Sequence, residues 1–122
     1  MKQYKMWIDG KWVDAESGKT YPVLNPATEE EIAQLPLGGK PDVDRAVAAA
    51  RKAFPAWSKK SQSDRSRIMG QIAAAIKENA QEIGRLESID HGWPLKMASG
   101  MSFRVASSFE WVAGCRVIDD WR

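Results

Sequence analysis

The sequence predicts a chain that carries both strands and helices, with two β-hairpin-like pairs followed by three amphipathic helices. Two short apolar runs flank Asp9-Gly10, which is the usual composition of a tight hairpin turn. Apolar residues recur every three or four positions from residue 64 to residue 90, which is the period of a helix. Strands and helices do not alternate along the chain, so the pattern does not predict a parallel sheet within it.

The strands are predicted at the amino end. Residues 5–13 form a hairpin, because both central positions of a type I′ turn need positive φ and Asp9-Gly10 accommodates it. Residues 20–24 and 31–35 form a second pair, joined by a segment in which Asn25-Pro26 favours a turn. Pro22 has no amide hydrogen to donate, so the strand that contains it is predicted to lie at a sheet edge.

The first helix is predicted over residues 42–54. Pro55 ends it, because proline cannot continue a helix interior without loss of a hydrogen bond. One face of this helix is apolar and consists of Val43, Ala46, Val47, Ala50 and Phe54.

The second helix is predicted over residues 64–90 as one continuous rod. Ser63 or Asp64 caps its start, and Gly92 with Pro94 bounds its end. Its apolar stripe consists of Ile68, Ile72, Ile76, Ala80, Ile83, Leu86 and Ile89.

The third helix is predicted to begin at Pro94, which suits the first turn of a helix. Gly100 and Gly114 interrupt its otherwise favourable composition. Its apolar positions are Leu95, Ala98, Met101, Val105, Phe109 and Val112.

Composition limits the functions that the chain can have. Its 122 residues make at most one ordinary domain, and 43% hydrophobic with 28% charged residues is typical of a globular protein. The net charge of +2, with both signs interleaved, argues against a nucleic-acid surface. One Cys and one His exclude a disulfide framework and a structural zinc site. The sequence shows neither a signal peptide nor a membrane span, so we expect the protein to be located in the cytoplasm.

Four local features are candidate reaction or binding centres. Cys115 has Arg116 beside it but no evident base, so packing is the preferred interpretation. His91 is interpreted as a surface or capping residue at a helix end. Gly38-Gly39-Lys40 lacks the spacing of a phosphate-binding loop and is interpreted as a turn. Glu29, Glu30 and Glu31 are interpreted as a solvated turn. The residues alone predict no reaction centre.

Six motifs follow one another along the chain: WIDGKWV, SGKTYPVLNPATEEE, DVDRAVAAARKAFPAW, RSRIM, LESIDHGWP and FEWVAG. In this order they resemble the amino-terminal region of aldehyde dehydrogenases, whose corresponding segments read INGEWV, SGKTF with NPATGE, DVD-AV-AAR-AF-W, RARIL, LETLDTGKP and FRYYAG. The resemblance extends over residues 6–118. Single motifs are weak, but six in the right order are specific.

The resemblance implies an α/β parent fold, in which this chain is an incomplete amino-terminal segment of the cofactor-binding domain, with residues 5–35 rich in strands and residues 42–118 helical. It implies an enzyme that oxidises an aldehyde to a carboxylic acid with NAD or NADP. The family's nucleophilic cysteine, glutamate base and glycine-rich cofactor turn match no position here, and Cys115 does not correspond to the nucleophile. We therefore expect about the first quarter of an enzyme, inactive alone, whose partners are the remainder of the dehydrogenase chain and further copies in a homo-oligomer.

Two further sites are implied by the resemblance. Some members bind a structural monovalent cation, Na⁺ or K⁺, and the matching ligands would be the backbone carbonyls of Val23 and Leu24 and the carboxylate of Asp90. The third helix borders the substrate tunnel in this family, and Met101 and Val105 fall approximately there.

The sequence also departs from the family pattern. Trp93 replaces the lysine of GKP, His91 replaces threonine or asparagine, and Glu30 takes the position often held by glycine in NPATGE. These departures leave the substrate undetermined. The rival hypothesis is a free-standing helical module that uses its exposed apolar stripe for protein interaction or self-association.

Overall fold

The computed structural model describes residues 2–115, and these form two compact units. The first unit extends to Lys59 and contains all of the strands that the structure describes and one helix. The second unit begins at Lys60 and is helical over its described part. Strands therefore precede helices, as the sequence predicts. The elements in chain order are β1 (Lys2–Gln3), β2 (Met6–Ile8), β3 (Lys11–Val13), β4 (Thr20–Leu24), β5 (Glu31–Pro36), α1 (Lys40–Ser58), α2 (Gln62–Glu78), α3 (Ala80–His91) and α4 (Leu95–Gly114).

The first hairpin is confirmed. Strands β2 and β3 pair in antiparallel fashion, and the turn between them has φ of 50° at Asp9 and 75° at Gly10. Both central positions thus have the positive φ of a type I′ turn. Trp7 and Trp12 lie directly opposite each other, with ring centroids 4.8 Å apart in an edge-to-face arrangement. This cross-strand aromatic contact stabilises the hairpin beyond its hydrogen bonds.

The second pair belongs to a three-stranded sheet of order β1–β5–β4. Strands β4 and β5 are antiparallel, and β4 is an edge strand, so the placement of Pro22 at an edge is confirmed. Strand β1 pairs in parallel with β5, which the sequence pattern did not predict. The pattern missed this strand because it has only two residues, both polar, and so shows no alternation.

Helix α1 begins at Lys40 and continues through Pro55 to Ser58, so the predicted end at Pro55 is wrong. Proline has a helical φ, and its ring costs the helix one hydrogen bond to the carbonyl of Arg51. Arg51 is exposed, so water can serve that carbonyl instead. The apolar face predicted for this helix is exposed: 58% of Val43 and 65% of Phe54 are accessible to solvent.

The predicted long helix is divided in two at Asn79. Asn79 has φ of −102° and ψ of 9°, and its Nδ2 donates to the carbonyl oxygen of Ala75 at 2.8 Å. An asparagine side chain that bonds its own backbone competes with the helix, which explains the break. The cap of α2 is Ser61 rather than Ser63 or Asp64, because the amide of Asp64 donates to Ser61 Oγ at 3.1 Å. Gly92, with φ of 77°, ends α3 as predicted.

The buried interior of the described chain is made of small side chains. In the second unit, α4 packs along both α2 and α3, and the buried residues of these three helices are Ala73, Ala80, Gly84, Ala98, Ser102 and Ala106. No large side chain among residues 2–115 is fully buried. The stripe predicted for the third helix is therefore only partly correct: Ala98 is buried, but Leu95, Val105 and Val112 are exposed. Small residues permit the close approach of helix backbones. The contact of α4 with α2 and α3, here called the seam, therefore has no room for larger side chains.

The helices predicted between residues 42 and 118 lie between Lys40 and Gly114 in the described part, and residues 116–118 lie outside it. Within residues 2–115, no helix combines the length and the apolar character that crossing a bilayer requires.

Candidate functional site

Asp42, at the start of α1, is the buried carboxylate of the described chain and only 3% exposed. Its Oδ2 accepts from the amide of Gly39 at 2.8 Å, and its Oδ1 accepts from the amide of Glu16 at 3.1 Å. An ion pair with Arg45 completes its surroundings. The hydrogen bond from Gly39 is the largest cause that lowers the pKa of Asp42, and the Arg45 hydrogen bond adds to it, while desolvation acts in the opposite direction.

The hydrogen bond between Asp42 and the Gly39 amide distinguishes Gly38-Gly39-Lys40 from a phosphate-binding loop. A phosphate group binds a helix end through free amides and the positive end of the dipole. Here the carboxylate of Asp42 already occupies the amide of Gly39 and brings its own negative charge. Gly38 and Gly39 lie in the short connection between β5 and α1, and Lys40 is the first residue of the helix. Sequence reasoning missed the buried acceptor itself, although an Asp three residues after Gly39 is the position from which a side chain reaches back to the cap.

Cys115 is exposed and follows the last residue of α4. A surface depression of 570 Å³ lies beside it, and its described lining residues are Gln62, Ser63, Ser66, Ala113, Gly114 and Cys115. Gln62 Nε2 donates to the Cys115 carbonyl at 2.9 Å, which fixes the backbone rather than the sulfur. A nucleophilic thiolate needs a neighbouring base or cation, and the described lining residues offer neither. The predicted buried or semi-buried packing of Cys115 is wrong, because its side chain lies at the surface; Arg116 lies outside the described residues.

His91 is the last residue of α3 and is exposed. Its ring lies edge-to-face against Trp93, with centroids 5.7 Å apart. Ser88 Oγ donates to the carbonyl of Trp93 at 2.7 Å and so holds the connection that follows. The imidazole is thus a surface residue at a helix end, as predicted.

No group of three potential metal ligands among His, Cys, Asp and Glu occurs within the described residues.

Residues 29–31 are exposed, as predicted, but only Glu29 and Glu30 lie in the turn between β4 and β5, because Glu31 is the first residue of β5. Asn25 Oδ1 accepts from the amide of Ala27 at 2.9 Å, and the Asn25 carbonyl accepts from the amide of Glu29 at 2.8 Å. Glu29 has φ of 60°, the left-handed region that glycine favours. The match of Glu30 to the glycine of NPATGE is therefore wrong by one position. Glu29 corresponds to that glycine, and glycine would adopt its backbone conformation without strain.

The residues expected to bind a monovalent cation lie in different units. Val23 and Leu24 lie on edge strand β4 of the first unit, where Val23 is half-buried and Leu24 exposed. Asp90 lies near the end of α3 in the second unit and is exposed. Each position offers an oxygen that suits a hard cation.

Met101 and Val105 lie one turn apart on α4, and the first is half-buried while the second is exposed. With 3.6 residues per turn, Val112 falls on the same flank of α4. The opposite flank carries Glu110, which pairs with Lys77 of α2 at 2.6 Å. One flank of α4 is therefore apolar and uncovered within the second unit, and the opposite flank contacts α2 through the ion pair between Glu110 and Lys77.

The geometry of the described residues thus defines part of an α/β protein whose apolar surfaces are incompletely covered, without a nucleophile–base pair of its own. Residues 12–118 match the model of the aldehyde dehydrogenase family. The chain therefore belongs to the aldehyde dehydrogenase family, and the resemblance and the fold class inferred from the sequence are confirmed.

Individual comparisons agree with this assignment. A 3-sulfolactaldehyde dehydrogenase of Pseudomonas putida is 38% identical over 107 residues, which are 88% of this chain and 22% of that protein. The NAD-dependent aldehyde dehydrogenase of Sinorhizobium meliloti superposes with a TM-score of 0.89 at 38% identity, over 93% of this chain and 24% of that one. A betaine aldehyde dehydrogenase of Staphylococcus aureus, solved with NAD⁺, gives 0.87 at 33% identity over 90% of this chain and 22% of that one.

The chain spans about a quarter of the length of the relatives that it matches. The names of these relatives differ in the aldehyde although the matched segment is the same. This region therefore identifies the family and leaves the substrate open.

Proposed function

We propose that the chain is the amino-terminal part of an NAD(P)-dependent aldehyde dehydrogenase, which oxidises an aldehyde to a carboxylic acid. The observation that carries the proposal is the family match over residues 12–118, in a chain that corresponds to about 22% of a full-length relative. The segment belongs to the cofactor-binding domain, and the groups that react with aldehyde and hold NAD or NADP lie in the part of the enzyme that it lacks.

The chain alone is inactive under this proposal. Covalent oxidation of an aldehyde by this family uses a thiolate and a general base, and the only thiol of the sequence is Cys115. The described residues that line the depression beside Cys115 include no general base. The carboxylate of Asp42 already accepts from the Gly39 amide, which supports the proposal that the dinucleotide is held by another part of the enzyme.

The segment contributes structure to the enzyme. Many of its large apolar side chains are exposed, among them Val43, Phe54 and Trp111. Covering apolar surface stabilises a protein by about 25 cal/mol per Å². We propose that the remainder of the dehydrogenase chain covers these side chains, and that the complete enzyme is a homo-oligomer in the cytoplasm.

The test measures NADH or NADPH formation with a panel of aldehydes in three samples. These are the 122-residue chain alone, a complete dehydrogenase that contains it, and the same complete enzyme without residues 1–122. The proposal expects turnover only in the second sample. Turnover by the chain alone would overturn its predicted inactivity, and an inactive complete enzyme over the whole panel would count against the reaction class.

The rival function is a free-standing helical module for protein interaction or self-association. The exposed apolar stripe of α1 favours it, because monomeric proteins seldom leave such surfaces open. Light scattering coupled to size exclusion, with a thermal melt of the same fraction, distinguishes the two. A species of defined size that melts cooperatively, either the 13.6 kDa monomer or a discrete oligomer of it, would support the module. Aggregates or a broad melt support an incomplete part of a larger dehydrogenase.

We further propose that the complete enzyme binds Na⁺ or K⁺ through the carbonyls of Val23 and Leu24 and the carboxylate of Asp90. The support is the family resemblance and the oxygen chemistry of these groups. In the complete enzyme, KCl or NaCl should raise the melting temperature more than choline chloride does, and Asp90→Asn should remove that difference. An equal response of the variant and the parent would contradict this site.

We also propose that Met101 and Val105 border the substrate tunnel. Their shared flank of α4 is apolar and uncovered within the second unit. In the complete enzyme, Val105→Trp should raise KM for bulky aldehydes more than for acetaldehyde. Gly100→Ala, on another side of α4 with open space around it, is the control and should leave both constants unchanged.

A further inference from the structure

We draw no further inference here: the strongest candidate, the exposed apolar stripe along α1 formed by Val43, Val47, Ala50, Phe54 and Trp57, carries nothing because nothing in the part of the chain that the structure describes shows what covers it.

Discussion

Gly84 of α3 lies directly against Ser99 of α4. A Cβ atom added to Gly84 would come within 2.6 Å of Ser99 Oγ and 2.7 Å of its Cα. The second of these atoms is backbone and cannot rotate away. Glycine at this position is therefore a requirement of the contact between the two helices, although glycine is a poor helix former.

We expect Gly84→Ala to destabilise the second unit. The added methyl group must push the two helices apart, and overpacking of this kind costs about 1–3 kcal/mol. The urea midpoint of unfolding, followed by tryptophan fluorescence, should fall accordingly.

Gly70→Ala is the matched control for this substitution. Gly70 lies in α2 with nothing within 4 Å of an added Cβ, so alanine should raise stability by up to about 1 kcal/mol through its helix propensity. Equal effects of the two substitutions would show that the seam between α3 and α4 is not tightly packed.

Asp42→Asn should destabilise the first unit in a pH-dependent way. The pKa of Asp42 is lowered in the folded chain by the amide of Gly39 and by Arg45, so its ionised form stabilises the fold. That contribution is complete above the unfolded pKa near 3.8 and is lost as the pH falls through the lower folded pKa. The variant should therefore unfold at lower urea than the parent at neutral pH, and the difference should shrink as the pH falls below 3.8.

Asp44→Asn is the control, since Asp44 makes an exposed pair with Lys40 at the same helix end. Exposed pairs contribute little, so this substitution should change the midpoint only slightly. A pH-independent effect of Asp42→Asn would contradict the role of the ionised carboxylate.

Glu29→Gly should stabilise the turn between β4 and β5. A side chain in the left-handed region costs about 1–2 kcal/mol, part of which is offset by the greater freedom of glycine in the unfolded chain. The expected gain is about 0.5–1 kcal/mol in the free energy of unfolding. Glu30→Gly, one residue away and without positive φ, should bring no gain, and a larger benefit there would refute the assignment of the strained position to Glu29.

Phe54→Glu should reduce self-association of the isolated chain. Phe54 is exposed on the apolar stripe of α1, and a carboxylate there opposes contact between apolar surfaces. Light scattering should give a lower mean mass, and binding of an apolar dye should fall. Ala48→Glu places the same charge outside the stripe on the same helix, and an equal effect of the two variants would point to net charge instead.

The elements that the sequence predicted well depend on local chemistry. Asp9-Gly10 specifies its hairpin because only a few residues tolerate positive φ at both central positions. Gly92 ends α3 for the same conformational reason. These features need no information from distant parts of the chain.

The features that the sequence missed depend on competition or on distant partners. Asn79 divides a helix whose apolar period continues across it, since a side-chain bond to Ala75 competes with the backbone. Strand β1 has no pattern of its own and forms only against β5. Helical period showed which side of α1 is apolar, but period carries no information about whether that side is covered.

The candidate site also combines features that local sequence predicts with features that depend on distant partners. The sequence placed Asp42 at the start of a helix, but its burial and its hydrogen bond from the distant Glu16 amide became visible only in the structure. Membership of the family came from the order of motifs, which is a property of the whole segment and not of any single residue.

The seam of alanine, glycine and serine between α4 and its neighbours has a consequence for how this region tolerates mutation. These side chains are already among the smallest, so a substitution by a smaller residue removes very little volume. Such substitutions can therefore hardly destabilise the fold by creating a cavity. Nearly every substitution is instead an insertion into a filled space. Substitutions of Ala73, Ala98 or Ala106 by larger residues should therefore destabilise the fold through steric overlap. Whether a residue is tolerated at these positions should depend on its side-chain volume more than on its polarity.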